Sequence, residues 1–237
     1  MNDFNFTQPQ SLVDQLKENL SDAIVRGVLL PGQQIKEQEL QEWFKVSRAP
    51  IREALRLLEG DGLIIVDNYK KRYVRRITKR DLTEIVPIMI CLEGLAARYA
   101  TPRIEKEKIK ELKDLNNQMR QASDQKDYGV CAELNFMFHG SYIRAADNHA
   151  LERTMRSLTK GSIWLWLTNI YYKKDDMVTR SVEDHSKIIE ALKKGDVEAA
   201  EQAAQYHIEQ VYGRLLEYSI FDSAGDFVFD EQQMKGR

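Results

Sequence analysis

Four histidines occur in this 237-residue chain, and three stand where helical segments could bring them together. Asn135 and His139, in ELNFMFH, are spaced i, i+4, so both side chains leave one helix face a turn apart. His185, in VEDHSKIIEAL, and His207, in AAQYHIEQV, lie within the two long helical patterns that follow. Clustered imidazoles can ligate a divalent ion, but mid-helix histidines can equally be hydrogen-bonded core residues, and spacing alone leaves both readings open. A second set is cationic. Arg48, Arg52 and Arg56 recur at i, i+4, i+8 within SRAPIREALRLLEGDGLI, and NYKKRYVRRITKR, residues 68–80, has seven basic residues and no acidic one. Positive charge concentrated in this way suits a nucleic-acid partner.

The elements that must position the arginines are legible from periodicity. Ser47 can N-cap a helix whose first turn tolerates Pro50, and Ile51, Ala54, Leu55 and Leu58 form its buried stripe until Gly60 or Gly62 stops it. A preceding short helix, KEQELQEWFK, turns Leu40, Trp43 and Phe44 inward, with only Lys45 and Val46 before Ser47. Before it, SLVDQLKENLSDAIVRG stripes Leu12, Leu16, Leu20, Ala23 and Ile24 on one face and ends at Gly27. Two short helices so tightly joined, the second bearing arginines, make a helix-turn-helix. LIIVD and RYVRRI then flank the polar loop DNYKK as a two-stranded basic wing. From Asp81 to about Phe221 the pattern is helical, with breaks near Pro102, Asp124 to Asp127, Asp147, Lys173 to Asp176 and Gly195, which divide it into six helices.

Composition bounds the rest. A chain with 43% hydrophobic residues can bury real cores. The net charge of −2 conceals an asymmetry: residues 1–80 hold 14 basic against 11 acidic residues, and the remainder 21 against 26. The start, MNDFNFTQPQ, lacks the features of a signal peptide, and the most apolar run, IWLWL, is too short to span a bilayer, so a cytoplasmic protein without a membrane partner is expected. Cys91 and Cys131 have neither metal-type nor disulfide-framework spacing and read as core residues.

The segment VSRAPIREAL, residues 46–55, with its Gly-Leu step into the wing, resembles the helix-turn-helix of the GntR family of bacterial regulators. That resemblance puts Ser47, Arg48 and Arg52 at DNA-contacting positions, with Gln38 in the preceding helix and Tyr69, Lys70, Lys71 and Arg72 in the wing. Gln38 stands where an Arg is common, and the wing tip has Tyr69, Lys70 and Lys71 where a Gly usually approaches the groove. A lysine-to-phosphate contact is therefore expected of the wing.

The second half resembles the FCD ligand-binding domain of the FadR subfamily, through Asn135 and His139, the segment EDHSKIIEALKKGD carrying His185, and the later His207. The resemblance implies that these four residues bind a divalent metal, and imidazoles suit Zn²⁺, Ni²⁺, Mn²⁺ or Fe²⁺. Asn135 replaces a common Asp, which lowers the expected affinity and leaves the ion's charge uncompensated, so an anionic effector, for example a carboxylate, is implied as the last ligand. Met89, Glu93 and Arg214 are the effector-site candidates that the resemblance implies: counting from Glu93, the usual effector-binding Arg falls at Met89, and Arg214, seven residues after His207, is a replacement cation. Trp164, Trp166, Tyr171 and Tyr172 either line a less polar effector site or belong to core or dimer interface.

The expected protein is mainly α: a three-helix, two-stranded winged helix-turn-helix over residues 1–77, a linker at 78–80, an all-α six-helix bundle over 81–221 and a tail at 222–237. The implied function is a homodimeric regulator that binds double-stranded operator DNA under control of a small organic acid. Two rivals are a metal-dependent enzyme anchored by its N-terminal domain and a helical dimerisation module without a ligand.

Overall fold

Ile51, Ala54, Leu55 and Leu58 are all buried on helix α3 (Arg48–Gly60), as their spacing requires. They meet Leu16, Leu20 and Ile24 of α1 (Leu12–Val25) and Leu40 of α2 (Glu37–Phe44) in one core. The computed structural model describes residues 11–25, 28–159, 175–218, 220–221 and 225–228. The stop expected at Gly27 lies outside them.

The end of α3 is set by backbone chemistry. Gly62 adopts φ +75°, Gly62 N–H donates to the Glu59 carbonyl and Leu63 N–H to that of Leu58, at 3.0 Å each, so two terminal carbonyls are satisfied. Lys45 closes α2 at φ 52°, ψ 42°, a left-handed turn made without glycine. Ser47 occupies the N-cap position of α3, but its hydroxyl makes no capping bond.

Three expectations for this domain need correction. Trp43 is 59% exposed, because the short α2 buries only the face carrying Leu40, with Phe44 one turn on partly covered. Leu12 is exposed at the open end of α1. The wing has three strands: β2 (Ile64–Val66) and β3 (Arg72–Val74) pair antiparallel, and β1 (Gln34–Ile35) pairs with the other edge of β3. Two residues are too few for β1 to show a strand period.

The C-terminal bundle comprises α4 (Lys79–Ala100), α5 (Lys106–Asp124), α6 (Tyr128–Ala145), α7 (His149–Thr159), α8 (Asp175–Lys194) and α9 (Val197–Tyr218). Helix α9 packs along α4, α5 between α6 and α8, and α8 against α9. Gly94 permits the α4–α9 approach, since a Cβ there would lie 2.6 Å from Gln205 Cγ. Residues 78–80 form no free linker. Thr78 caps α4 in a reciprocal capping box with Asp81, and Lys79 and Arg80 are the first turn.

Arg75 pairs with Asp81, which ties the end of the wing to that cap. The tail returns to the same junction through the hairpin of β4 (Ile220–Phe221) and β5 (Phe227–Val228): Asp226 bridges Thr78, and Lys79 N–H donates to the Gly225 carbonyl at 2.9 Å. Cys131 is buried as expected, but Cys91 is exposed on α4 near Ile88, on a face no other described helix covers enough to bury it. Trp164, Trp166, Tyr171 and Tyr172 lie outside the described residues. Among the described residues no helix is long and apolar enough to cross a membrane.

Candidate nucleic-acid interface and metal centre

Helix α3 presents Arg48 and Arg52 on its outer face, and α2 delivers Glu37 directly beneath them. The Glu37 carboxylate accepts from Arg48 Nε at 2.5 Å, from Arg52 Nε at 3.0 and 3.1 Å, and from Arg72 Nη1 at 2.9 Å. Burial alone would raise the Glu37 carboxyl, but the Arg48 and Arg52 guanidiniums outweigh it and hold the carboxyl below its ordinary range. Arg72, expected as a wing cation, is half-buried and spans from β3 to α2. Gln38 is exposed and donates to Glu42 at 3.3 Å. Arg56, one turn beyond Arg52, is exposed and pairs with Glu53 at 3.5 Å.

At the wing tip, Asp67 Oδ1 accepts from the Tyr69 and Lys71 backbone N–H groups at 2.9 and 2.8 Å. Lys70 takes φ 62°, the left-handed conformation that a tip glycine would adopt freely. Tyr69, Lys70 and Lys71 are thereby held exposed on a defined turn.

The three histidines converge. His139 on α6, His185 on α8 and His207 on α9 are buried, and their potential ligand atoms lie within 4.8 Å of one another. Ring centroids are separated by 5.3 Å (His139–His185), 5.2 Å (His139–His207) and 4.6 Å (His185–His207). Phe138 stacks on His185 at 3.9 Å. Asn135, one turn before His139, is buried and lines the adjoining cavity.

Outer contacts orient the rings. His139 Nδ1 stands 3.1 Å from Glu93 Oε2, and Tyr142 donates to the same oxygen. His185 Nδ1 stands 3.2 Å from Asn116 Oδ1, while Asn116 Nδ2 donates to the Val182 carbonyl at 2.9 Å, which fixes the amide's direction. Both rings therefore donate from Nδ1 and keep Nε2 as the lone-pair nitrogen. His185 Nε2 is buried without a hydrogen-bond partner. A buried acceptor left unpaired is costly, and a metal ion is the partner that an array of imidazole lone pairs fits. Burial pushes His185 well below its usual value, helped by His207 and His139; burial likewise lowers His207, only partly opposed by Asp184. Neutral imidazoles are the ligating form.

Two carboxylates that spacing did not reveal as parts of the centre adjoin it. Glu93 is held below the ordinary carboxylate range because His139 and Tyr142 outweigh the effect of burial. Asp184 Oδ2 lies 3.9 Å from His207 Nδ1 and accepts from Arg214 Nη2 at 3.0 Å, while its Oδ1 accepts from Lys187 at 2.8 Å. A metal here would not present its full charge, as the ligand count alone had implied. For Glu93 only the geometry could reveal this, because it is 46 residues from His139.

A cavity of about 140 Å³ opens beside the cluster, with Glu93, Asn135 and His139 among its lining residues and Phe136, Ile143 and Met155 as apolar walls. Its cations are Arg144 of α6 and Arg156 of α7, the latter bonded to Glu152 at 2.6 Å. Met89 is a fully buried core residue and Arg214 is engaged by Asp184; neither lines this cavity. Spacing gives no sign of Arg144 or Arg156, because neither position has an i, i+4 relation to one of the three clustered histidines.

Comparison with known proteins agrees on both halves. Residues 12–74 match the model for bacterial regulatory proteins of the gntR family, and residues 84–210 match the FCD domain. The chain is 30% identical over 198 residues to a probable D-xylose utilization operon transcriptional repressor of Paenarthrobacter nicotinovorans, spanning 84% of this chain and 86% of the relative. It is 29% identical over 211 residues to the uncharacterized HTH-type transcriptional regulator YdhC of Bacillus subtilis, spanning 87% and 92%. E. coli McbR/YncC has the same fold, with a TM-score of 0.73 at 23% identity over 87% of this chain and 98% of that one.

Proposed function

This chain belongs to the gntR family of bacterial regulatory proteins, in the group with an FCD domain, and from that membership we propose that a small organic acid, bound beside a divalent metal in the helical domain, controls its affinity for operator DNA. The chain is a DNA-binding transcriptional regulator, and its relatives are named as regulators rather than as enzymes. The observation that carries the finer reading is the buried meeting of His139, His185 and His207. With Asn135 they would hold the ion; Zn²⁺, Ni²⁺, Mn²⁺ and Fe²⁺ all accept imidazole ligands. When bound, the metal supplies an electrophilic centre for an anionic ligand. Glu93 and Asn116 orient two of the rings, and Arg144 and Arg156 line the adjoining cavity with positive charge.

The cavity is smaller than the roughly 300–1,000 Å³ usual for drug-sized ligands, which favours a compact acid. A metal-dependent hydrolase is the weaker reading, because Glu133 and Glu183 are exposed and Asp184 is engaged by Arg214 and Lys187, leaving no general base among them. Exposed Ile88, Cys91 and Tyr99 on α4 supply apolar surface for a homodimer, which would set two winged domains on successive major grooves.

The test is elemental analysis of the purified protein, of His139→Ala and of His185→Ala, followed by thermal-shift screening of small carboxylates before and after chelation. Near-stoichiometric metal lost in both variants, with shifts abolished by chelator, is the expected result. Metal-free native protein that takes up no added divalent ion would overturn the centre, and shifts that survive chelation would overturn a metal-held acid.

A further inference from the structure

We propose that Glu37 positions the arginines that read DNA, and that it sets sequence specificity without itself needing to touch a base. Its carboxylate joins three elements: it opens α2, holds Arg48 and Arg52 of the recognition helix, and holds Arg72 of the wing. The side chain of Glu37 is only 14% exposed, whereas those of Arg48 and Arg52 are 61% and 56% exposed. The anchor thus lies beneath the surface and the anchored groups stand on it.

The atoms used are informative. Both α3 arginines bond to Glu37 through Nε. A guanidinium held at Nε still presents its Nη1/Nη2 edge, and that fork matches the O6 and N7 acceptors of guanine. Arg72 differs: its Nη1 is bonded to Glu37 and its Nε is buried. Arg72 therefore acts as a brace between wing and helix, and Arg48 and Arg52 are the readers.

Two physical consequences separate this role from simple packing. Long exposed arginines are flexible, and ordering them before contact reduces what must be lost on binding the correct sequence. The carboxylate also offsets one of three adjacent positive charges, which limits indiscriminate attraction to phosphates. Removing it should therefore strengthen the wrong kind of binding while it weakens discrimination.

The test uses the full-length protein and two probes, a random-sequence duplex pool and the sequence that wild type enriches from that pool. For Glu37→Gln, affinity for the random pool should rise, the salt slope should steepen by about 1, and the ratio of enriched to random affinity should fall about tenfold or more. A ratio within about twofold of wild type in a folded variant would overturn the proposal, since a merely structural carboxylate would change melting and leave the ratio alone. Relaxation of the Arg48 and Arg52 Nε–H groups in free wild-type protein provides a measurement independent of the variant. Ordered groups support the anchor, and groups as mobile as that of the exposed Arg120 on α5 would sink it.

Discussion

His139 and Glu93 meet across the α6–α4 interface, with Nδ1 3.1 Å from Oε2. A carboxylate behind a ligating imidazole fixes the tautomer and raises ring basicity, so in the proposed metal centre Glu93 would support His139 without being a ligand. Glu93→Gln keeps an acceptor but removes the charge. Its divalent-metal affinity should fall by about tenfold, the lower end of the usual 10–100-fold range. Competition with a chromophoric chelator measures this directly, and unchanged affinity would detach Glu93 from the centre.

The cavity wall sets Arg144 and Arg156 beside the carboxylates of Glu93 and Glu152, and the two arginines are the groups that an acid could pair with. Arg144→Ala and Arg156→Ala should each shrink the thermal shift produced by carboxylates while leaving metal content at the wild-type level. Loss of metal in either variant would show that it acts on the centre instead.

Base readers and phosphate contacts should separate. Arg52→Ala should weaken binding to the enriched duplex by about 1–3 kcal/mol and relax preference at one position. Lys70→Ala should weaken binding to all duplexes alike and lower the salt slope by about 1. Fluorescence anisotropy across a salt series tests both. Arg52→Ala with undiminished affinity would remove the central role given to α3.

Lys45 holds a left-handed backbone, φ 52°, at the turn between α2 and α3. Glycine adopts that conformation without the Cβ clash, so Lys45→Gly should stabilise the protein by about 0.5–1 kcal/mol, net of glycine's greater freedom when unfolded. A urea midpoint below that of wild type would contradict this.

Glu37 links stability to pH. Its carboxyl lies below the ordinary value of 4.5 in the folded protein, so folding favours the ionised form. The contribution is complete above that value and is lost as pH falls through the lower folded value. The stability difference between wild type and Glu37→Gln should thus hold from neutral pH to about 5 and then move against wild type as acid is added. Denaturant melts at a series of pH values would show it; a pH-independent difference would mean that Glu37 is not coupled to Arg48 and Arg52.

Much of the architecture was legible because it is local and periodic. The stripe Ile51, Ala54, Leu55, Leu58 announced its own buried face, and Asn135 and His139 announced a shared one. Where periodicity was short or weak, the reading failed. An eight-residue helix has room for one buried row, which leaves Trp43 outside it, and the apolar segment around Cys91 has an open outer face, which leaves that thiol exposed. The two-residue β1 had no pattern to read.

The histidines bring both sides of this distinction together. The sequence alone determined which residue types were present, that helices would carry them, and that a basic N-terminal region would precede an acidic helical one, because each of these depends on composition or on spacing of a few residues. Tertiary structure decided which distant side chains meet. Glu37 reaches arginines 11, 15 and 35 residues away, and Asn116 reaches His185 across 69. Arg144 and Arg156 come to one cavity wall only because α6 and α7 pack together. Helix period fixes a side chain's direction within its own element, but a charge pair or a ligand set depends on the relative placement of elements. That placement is decided by how the buried faces of α4, α5, α6, α8 and α9 fit one another.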